Sequence, residues 1–274
     1  MPRTFGTYLE AEDIDAFVLW DEPILELPVP KIGPVEEAIG KHVASLVQDG
    51  DTMQLGIGAI PDAILRFLHD KKNLGIHTET FSDGVVALAK EGVINNSNKK
   101  IHIGKIEATM MMGTRKLYDF VDNNPDVELY PVDYSNHPVT IAKNENVISI
   151  NSAIEVDLMG QVNAEMIGGL QFSGIGGQLD YIRGASLASN GRSVIAMPSS
   201  TKGVSKIVAS LEPGTVVTTT RCDVDYVVTE YGVAALKGEN LRTRARRLIH
   251  IAHPDFREQL SKVFEQRFHE SYSP

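Results

Sequence analysis

The order of predicted strands and helices is the feature that most constrains the fold of this chain. From residue 34 onward, short aliphatic runs alternate with stretches in which apolar residues recur at helical spacing. The strand patterns are residues 52–55, 74–78, 100–104, 127–132, 147–150, 193–197 and 225–228. The helical patterns are residues 34–48, 62–68, 85–91, 114–121, 242–251 and 254–267. This repetition predicts an α/β fold with an open, mostly parallel sheet flanked by helices.

Two regions depart from this alternation. Residues 22–34 contain four prolines, which remove backbone donors and restrict the residues before them, so residues 1–34 are predicted to be an extended, linker-like segment. Residues 147–185 are rich in strand patterns and glycine, without an obvious helix. They are predicted to form a β-subdomain insert or a set of active-site loops. Residues 35–274 are predicted to be one domain.

The composition argues against several classes of protein. With a net charge of −10 and a pI of about 5.3, the chain lacks the basic character of nucleic-acid-binding proteins. An acidic protein can still hold an anionic ligand through backbone amides and one lysine. We find neither an apolar run long enough for a membrane span nor a signal-peptide pattern. The single cysteine, Cys222, excludes an internal disulfide and fits a cytoplasmic protein.

A glycine-containing loop, residues 56–61, connects the strand pattern at 52–55 to the next helix. Gly56 and Gly58 let the backbone approach a ligand closely, and the helix that follows offers free N–H groups for a phosphate. Pro61 takes the place of the third glycine of the dinucleotide fingerprint, although Glu79 follows at about the distance of that fingerprint's acidic residue. Three interpretations of residues 56–61 are therefore compatible with the sequence: a phosphate-binding loop, a dinucleotide-binding module and a tight turn without function.

Three glutamates are candidates for a reactive carboxylate. Glu79 and Glu230 each lie at the carboxyl end of a predicted strand, where α/β enzymes place reactive groups, and a helix is predicted after Glu230. A carboxylate can act there as a nucleophile and form a covalent intermediate. Either residue can equally be an exposed strand-end or helix-capping residue. Glu155 competes with them, but strand alternation predicts that it points to solvent.

Further residues are candidates for contacts with a ligand. Gly174, Gly176 and Gly177 predict either a loop whose N–H groups face a developing oxyanion or a β-turn without function. Lys202 could reach a phosphate, although a solvated lysine is the simpler interpretation. His77 shares a strand face with the glutamate two residues later and could tune it or be structural. The histidine spacing does not predict a metal site.

These motifs occur in the order seen in one protein family. The segments 54–61, 77–84, 171–178, 228–232 and 253–257 together resemble the acetyl-CoA hydrolase/transferase family along essentially the whole chain. The resemblance implies an acyl-CoA:carboxylate CoA-transferase for short-chain acyl groups, with 4-hydroxybutyrate or acetate as the expected carboxylates. Coenzyme A and acyl-CoA would be substrates, and neither a permanently bound cofactor nor a metal is implied.

The resemblance also implies roles for individual residues. Glu79 matches the family's nucleophile, which forms an acyl-glutamyl anhydride and then a glutamyl-CoA thioester. Gly176 and Gly177 match the loop that polarises the thioester oxygen, and Asn136 and Glu230 match polar residues around the reacting carboxylates. The residues that match CoA contacts are Gly56, Ile57, Gly58, Ala59, Ile60, Gly174, Gln178 and Lys202.

Members of this family are considerably longer than this chain. By resemblance, residues 35–274 would be the C-terminal catalytic domain, residues 1–34 would match the inter-domain segment, and the N-terminal domain would be absent. The family's active site lies between the two domains, so we expect this chain to form a homo-oligomer or to associate with such a domain. The alternatives are an acyl-CoA hydrolase, a catalytically incomplete half that needs a partner domain, and a non-catalytic binding domain.

Overall fold

The computed structural model describes residues 1–272. Its strands are β1 (Phe5–Gly6), β2 (Thr52–Leu55), β3 (Gly75–Phe81), β4 (Ile106–Met111), β5 (Val127–Leu129), β6 (Val147–Asn151), β7 (Glu155–Asp157), β8 (Val162–Asn163), β9 (Met166–Ile167), β10 (Leu170–Gln171), β11 (Arg192–Ala196), β12 (Ser200–Thr201), β13 (Val204–Ser205), β14 (Ile207–Val208), β15 (Tyr226–Thr229) and β16 (Gly232–Ala235). Its α-helices are α1 (Pro34–Ala44), α2 (Ala59–Leu65), α3 (Asp83–Lys90), α4 (Arg115–Val121), α5 (Val132–Ser135), α6 (Pro138–Ile141), α7 (Gln178–Leu187), α8 (Leu241–His250) and α9 (Pro254–Phe268). Within this range, no helix is both long and apolar enough to cross a membrane.

One sheet organises the described residues. Nine strands follow the order β1–β5–β4–β3–β2–β6–β11–β15–β16 within residues 1–272. All neighbouring pairs are parallel except β15 and β16, which form an antiparallel hairpin. The predicted open, mostly parallel sheet is therefore confirmed. The connections from β2 to β3 and from β6 to β11 leave in opposite directions, so the carboxyl ends of β2 and β6 form a topological switch point, where α/β sheets bind ligands.

Apolar side chains from the helices and the sheet form the core. The larger group joins the first four helices to the strands around β2, and its members include Ile39, Met53, Ile64, Val86 and Leu117. A second group joins β7 and the β15–β16 hairpin to the last two helices, and its members include Val156, Val227, Leu248 and Phe264. Burial of apolar surface on both groups stabilises the sheet and holds the strand ends in place.

Most predicted elements are confirmed with shifted ends, but the predicted strand at residues 100–104 is wrong. His102 has φ 47° and Gly104 has φ 79°, in the left-handed region that a strand excludes. The N–H groups of Lys100 and Ile101 donate to Oδ1 of Asn144, at 2.9 Å and 3.3 Å, instead of to a neighbouring strand. The strand forms after this turn, as β4.

Two further expectations are wrong near the glycine-rich stretch. Residues 147–185 do contain a helix, the first part of α7, in which Gly184 lies against Ile141 and lowers the helical signal in the sequence. Glu230 precedes a strand, β16, and not a helix, because Gly232, with φ 138°, permits a tight turn back onto β15.

The first 33 residues form little regular structure and lie against the domain. β1 pairs in parallel with β5 at the sheet edge. Further along, the N–H of Leu27 donates a 2.9 Å hydrogen bond to the carbonyl of Gly113, and the hydroxyl of Tyr118 donates one of 3.0 Å to the carbonyl of Leu25. These bonds tie the segment to the loop before α4 and to α4 itself.

Candidate active site

A cleft of about 230 Å³ opens at the carboxyl ends of the central strands, beside Glu79. Glu79 lies on β3, two residues before the strand ends, and its side chain is half-buried. The strand continues past the predicted end, because β3 pairs with β4 as far as Phe81. The cleft is lined by Gln54, Leu55, Gly56, Ile57, Glu79, Thr80, Asn151, Ile175, Gly176, Gly177, Gln178 and Tyr181.

Two residues contact the Glu79 carboxylate. Asn136, at the C-terminal end of α5, donates a 2.7 Å hydrogen bond from Nδ2 to Oε2. Gly177, directly before α7, lies so close that a Cβ atom there would overlap both Glu79 Oε2 and Asn136 Nδ2. The start of α7 has no side-chain cap, and such a helix N-terminus favours a negative charge nearby. The carboxylate is therefore held between an amide donor and a helix N-terminus.

The loop before α7 is exposed and open. Gly176 has φ 58°, a conformation that favours glycine, and Gly174 has free space where a Cβ would stand. Gln178, the first residue of α7, donates a 3.2 Å hydrogen bond from Nε2 to Oγ1 of Thr219. Gly176, Gly177 and Gln178 line the Glu79 cleft, whereas Gly174 does not.

A second cleft, of about 330 Å³, lies at the topological switch point. It shares Gly56, Ile57 and Asn151 with the Glu79 cleft. Its lining residues are Glu36, Gly56, Ile57, Ala59, Ile60, Pro61, Ile150, Asn151, Ser152 and Ala196. Gly58 has φ 116°, so the turn from β2 into α2 requires glycine at this position. The loop 56–58 and the first turn of α2 therefore separate two adjoining spaces that a single extended ligand could occupy.

Glu230 and Lys202 line neither cleft. Glu230 is half-buried, and its carboxylate accepts hydrogen bonds from the backbone N–H of Ser199, at 2.8 Å, and from the Ser199 hydroxyl, at 2.6 Å. Lys202 lies at the exposed tip of the β12–β13 hairpin with φ 49°. The structure thus brings Glu79, Asn136, Gly176 and Gly177 together and leaves these two residues apart from that group.

Glu155, the competing carboxylate, has a partner outside the cleft. Its Oε1 accepts a 3.0 Å hydrogen bond from Nδ2 of Asn163, on the neighbouring strand β8. It is half-buried and does not point freely to solvent as strand alternation predicted. This bond pairs two neighbouring short strands and gives Glu155 a local structural contact.

Sequence reasoning missed several polar residues beneath the cleft. Gln54 accepts hydrogen bonds at Oε1 from Ser149 Oγ, at 2.7 Å, and from Asn151 Nδ2, at 3.0 Å. The hydroxyl of Tyr181 donates a 3.1 Å hydrogen bond to Oδ1 of Asn136. Gln54 and Tyr181 stand within or next to the conspicuous glycine motifs, which is the one sequence signal that could have found them.

His77, two residues before Glu79 on β3, is another buried polar residue of this region. Its Nε2 donates a 2.8 Å hydrogen bond to the carbonyl of Ser135, and its Nδ1 accepts one of 3.2 Å from Asn144 Nδ2. Burial lowers the pKa of His77 to about 3, so the ring is neutral at pH 7. Within residues 1–272, no group of three or more His, Cys, Asp or Glu side chains could hold a metal ion.

Comparisons with known proteins agree with this architecture. Residues 113–264 match the model of the acetyl-CoA hydrolase/transferase C-terminal domain. The chain is 60% identical over 271 residues to the 4-hydroxybutyrate coenzyme A transferase of Clostridium kluyveri, which covers 98% of this chain and 63% of that relative. The chain thus spans less than two thirds of the length of this relative.

Solved structures show the same fold. RipA from Yersinia pestis superposes with a TM-score of 0.92 at 40% identity, over 98% of this chain and 61% of that one. A 4-hydroxybutyrate CoA-transferase from Porphyromonas gingivalis superposes with a TM-score of 0.81 at 48% identity, over 91% of this chain and 59% of that one. These structures also extend well beyond the part that this chain matches.

Proposed function

Because this chain belongs to the acetyl-CoA hydrolase/transferase family, we propose that it transfers coenzyme A from an acyl-CoA to a carboxylate, with Glu79 as the nucleophile. The observation that carries this proposal is the half-buried Glu79 carboxylate at the base of a cleft, held by Asn136 at 2.7 Å. The name of the Clostridium kluyveri relative supports 4-hydroxybutyrate as a substrate, and acetate is the other short-chain carboxylate that the family resemblance implies.

The first step forms an anhydride. With Oε2 held by Asn136, the Oε1 atom of Glu79 attacks the thioester carbonyl carbon, and the C–S bond breaks to release the coenzyme A thiolate. Backbone N–H groups of Gly176 and Gly177 stabilise the negative charge on the carbonyl oxygen. Removal of one such donor costs about 2.7–4 kcal/mol in other enzymes.

The next steps exchange the acyl groups. The thiolate attacks the glutamyl carbonyl, which releases the first carboxylate and leaves a glutamyl-CoA thioester on Glu79. An acceptor carboxylate then attacks that thioester and the two steps run in reverse. Each step replaces one bond to an acyl carbon by another, so the cycle consumes no net proton. Water must be kept from the anhydride, and the glycine loop before α7 is suited to cover it.

The coenzyme A moiety requires more space than the Glu79 cleft alone. We propose that it extends along residues 56–60, at the β2–α2 junction, into the second cleft, with Gln178 contacting the part nearest the thioester. Gly174, which lines neither cleft, would contact it from the exposed loop before α7. Lys202, at its exposed hairpin tip, would contact only a distal phosphate. Acyl-CoA and small carboxylates are therefore the proposed ligands, and no resident cofactor is part of the proposal.

The segment before α1 supports a further association. Eight of its apolar side chains are each more than two thirds accessible: Met1, Tyr8, Leu9, Phe17, Val18, Leu19, Trp20 and Leu25. An apolar surface of this kind is typical of a protein–protein contact. We propose that a second copy of the chain, or the region that the longer relatives carry beyond the matched part, covers it.

Covalent trapping tests the proposed reaction. The protein is incubated with acetyl-CoA or 4-hydroxybutyryl-CoA and treated with borohydride, which reduces a glutamyl thioester to an alcohol, and the modified peptide is identified by mass spectrometry. We expect modification at Glu79, its absence in Glu79→Gln, and its persistence in Glu155→Gln, the matched control on β7. A Glu79→Gln variant that still transfers coenzyme A contradicts the proposal. Release of free coenzyme A without an acceptor carboxylate identifies a hydrolase instead.

A further inference from the structure

The side-chain amide of Asn136 presents two chemically different faces. Its NH2 group donates and its oxygen only accepts, so a rotation of the amide by half a turn would place an acceptor against the Glu79 carboxylate. That arrangement would repel the carboxylate and remove the 2.7 Å hydrogen bond to Oε2. The orientation of one amide therefore decides whether Glu79 is held.

Tyr181 bonds the other end of that amide. Its hydroxyl donates a 3.1 Å hydrogen bond to Asn136 Oδ1, from a ring that is 1% exposed. Burial raises the pKa of this hydroxyl, so it keeps its proton and remains a donor throughout the physiological range. A donor at Oδ1 leaves Nδ2 to face Glu79.

His77 holds the backbone that carries the amide. Its Nε2 donates to the carbonyl of Ser135, the residue before Asn136, at 2.8 Å. Its Nδ1 accepts from Asn144, which assigns the single proton of the neutral ring to Nε2. The ring is packed on Tyr181, with the two ring centroids 6.0 Å apart.

The same strand carries His77 and the nucleophile. The two residues stand two positions apart on β3, so their side chains lie on one face of the sheet. A shift of α5 away from β3 would therefore have to break the bond from His77 before it moved Asn136. Neither His77 nor Tyr181 donates a hydrogen bond to Glu79 itself.

We propose that His77 and Tyr181 are positioning residues that together direct the Asn136 amide at Glu79: His77 holds the Ser135 carbonyl, and Tyr181 holds the Asn136 side-chain oxygen. The arrangement exists before any substrate binds, so acyl-CoA meets a carboxylate that is already oriented. The proposal deepens the proposed role of Glu79 and rests on it for its catalytic consequence. The fixed orientation of the Asn136 side-chain amide can be measured without an activity assay.

The first readout is NMR of the Asn136 side chain. The protein is labelled with ¹⁵N-asparagine, and the Asn136 NH2 signals are assigned by their loss in Asn136→Ala. In Tyr181→Phe, which removes only a hydroxyl, we expect faster exchange of these protons with water and convergence of their two shifts. His77→Phe should do the same, while His77→Gln, whose Nε2 can still donate to Ser135, should resemble the parent protein. Tyr130→Phe is the matched tyrosine control.

The second readout is the rate of adduct formation at Glu79 in a single turnover. We expect Tyr181→Phe to lower this rate at saturating acyl-CoA about 3- to 10-fold, the range for loss of one neutral hydrogen bond. The acyl-CoA concentration that gives half of the maximal single-turnover rate should stay the same. If Tyr181→Phe has the same Asn136 NH2 signals and the same rate of adduct formation as the parent protein, the proposed positioning roles are wrong. If the amide signals change as expected but no variant, including the parent, forms an adduct, positioning stands and the proposed function fails.

Discussion

Gly177 and Glu79 meet across the cleft, so that the N-terminus of α7 touches the carboxylate on β3. The contact is possible only without a side chain at position 177, because a Cβ atom would overlap Oε2 of Glu79 and Nδ2 of Asn136. The helix start, the carboxylate and the amide thus form one close-packed group. Its geometry links the glycine-rich loop directly to the candidate nucleophile.

Gly177→Ala is expected to lower the rate of adduct formation at Glu79 about 100-fold while the domain remains folded. The added methyl must displace either the carboxylate or the start of α7, and a misplacement of about 1 Å can lower a reaction rate about 100-fold. Adduct formation at Glu79 measures the effect, and urea unfolding checks the fold. A variant with the parental adduct rate would show that α7 is free to move away from Glu79.

The stability of the domain should fall in acid because of His77. Burial is the largest cause of its low pKa of about 3, and the nearby positive charge of Lys99 adds to it. The unfolded imidazole takes up its proton near pH 6.5, so between pH 6.5 and 3 the unfolded state binds more protons than the folded state. The free energy of unfolding should therefore decrease as the pH falls through this window, by up to about 1.4 kcal/mol per pH unit.

Urea unfolding from pH 7 to pH 4 measures this slope. Other groups also titrate in acid, among them the buried Glu107, whose Oε2 lies 3.3 Å from His77 Nδ1 and whose pKa burial raises. The informative quantity is thus the difference between the parent protein and His77→Gln, which cannot take up the proton. Equal slopes for the two proteins would mean that His77 is not the group responsible.

Glu230→Ala should lower stability more than it disturbs the chemistry at Glu79. The substitution leaves the backbone N–H and the hydroxyl of the buried Ser199 without their acceptor, which costs about 1–3 kcal/mol of unfolding free energy. Glu230→Gln keeps one acceptor oxygen and should lose less. Urea midpoints for the two variants test this order. Full stability of Glu230→Ala together with a lost adduct would instead favour direct contact between Glu230 and the substrate.

Lys202→Ala should raise the KM for acyl-CoA without changing kcat. An exposed charge pair contributes about 0.2–1 kcal/mol, which corresponds to at most about a fivefold rise. The effect should shrink at high salt, since salt screens exposed charges. Steady-state kinetics at two ionic strengths measure it, with the exposed Lys262 on α9 replaced by Ala as the control. An equal change in both variants would remove Lys202 from the proposed coenzyme A contacts.

Much of the fold could be read from local patterns. Alternating strand and helix periods predicted the parallel sheet and the position of β2, because these periods reflect backbone conformations that neighbouring residues largely decide. The prediction failed where local signals conflicted with tertiary contacts. The run 100–104 looks apolar enough for a strand, yet its N–H groups bond Asn144, more than 40 residues away along the chain.

The features of the candidate site also fall into those that the sequence predicts and those that depend on tertiary contacts. The sequence by itself determined that Glu79 stands near the end of a strand and that glycines precede α7. Only the tertiary structure decided that Asn136 reaches Glu79, that His77 and Tyr181 hold Asn136, and that neither cleft is lined by Glu230 or Lys202. Strand and helix periods act over a few residues, whereas these contacts join separate elements. They depend on how α5 and α7 pack on β3, which burial of the whole core decides.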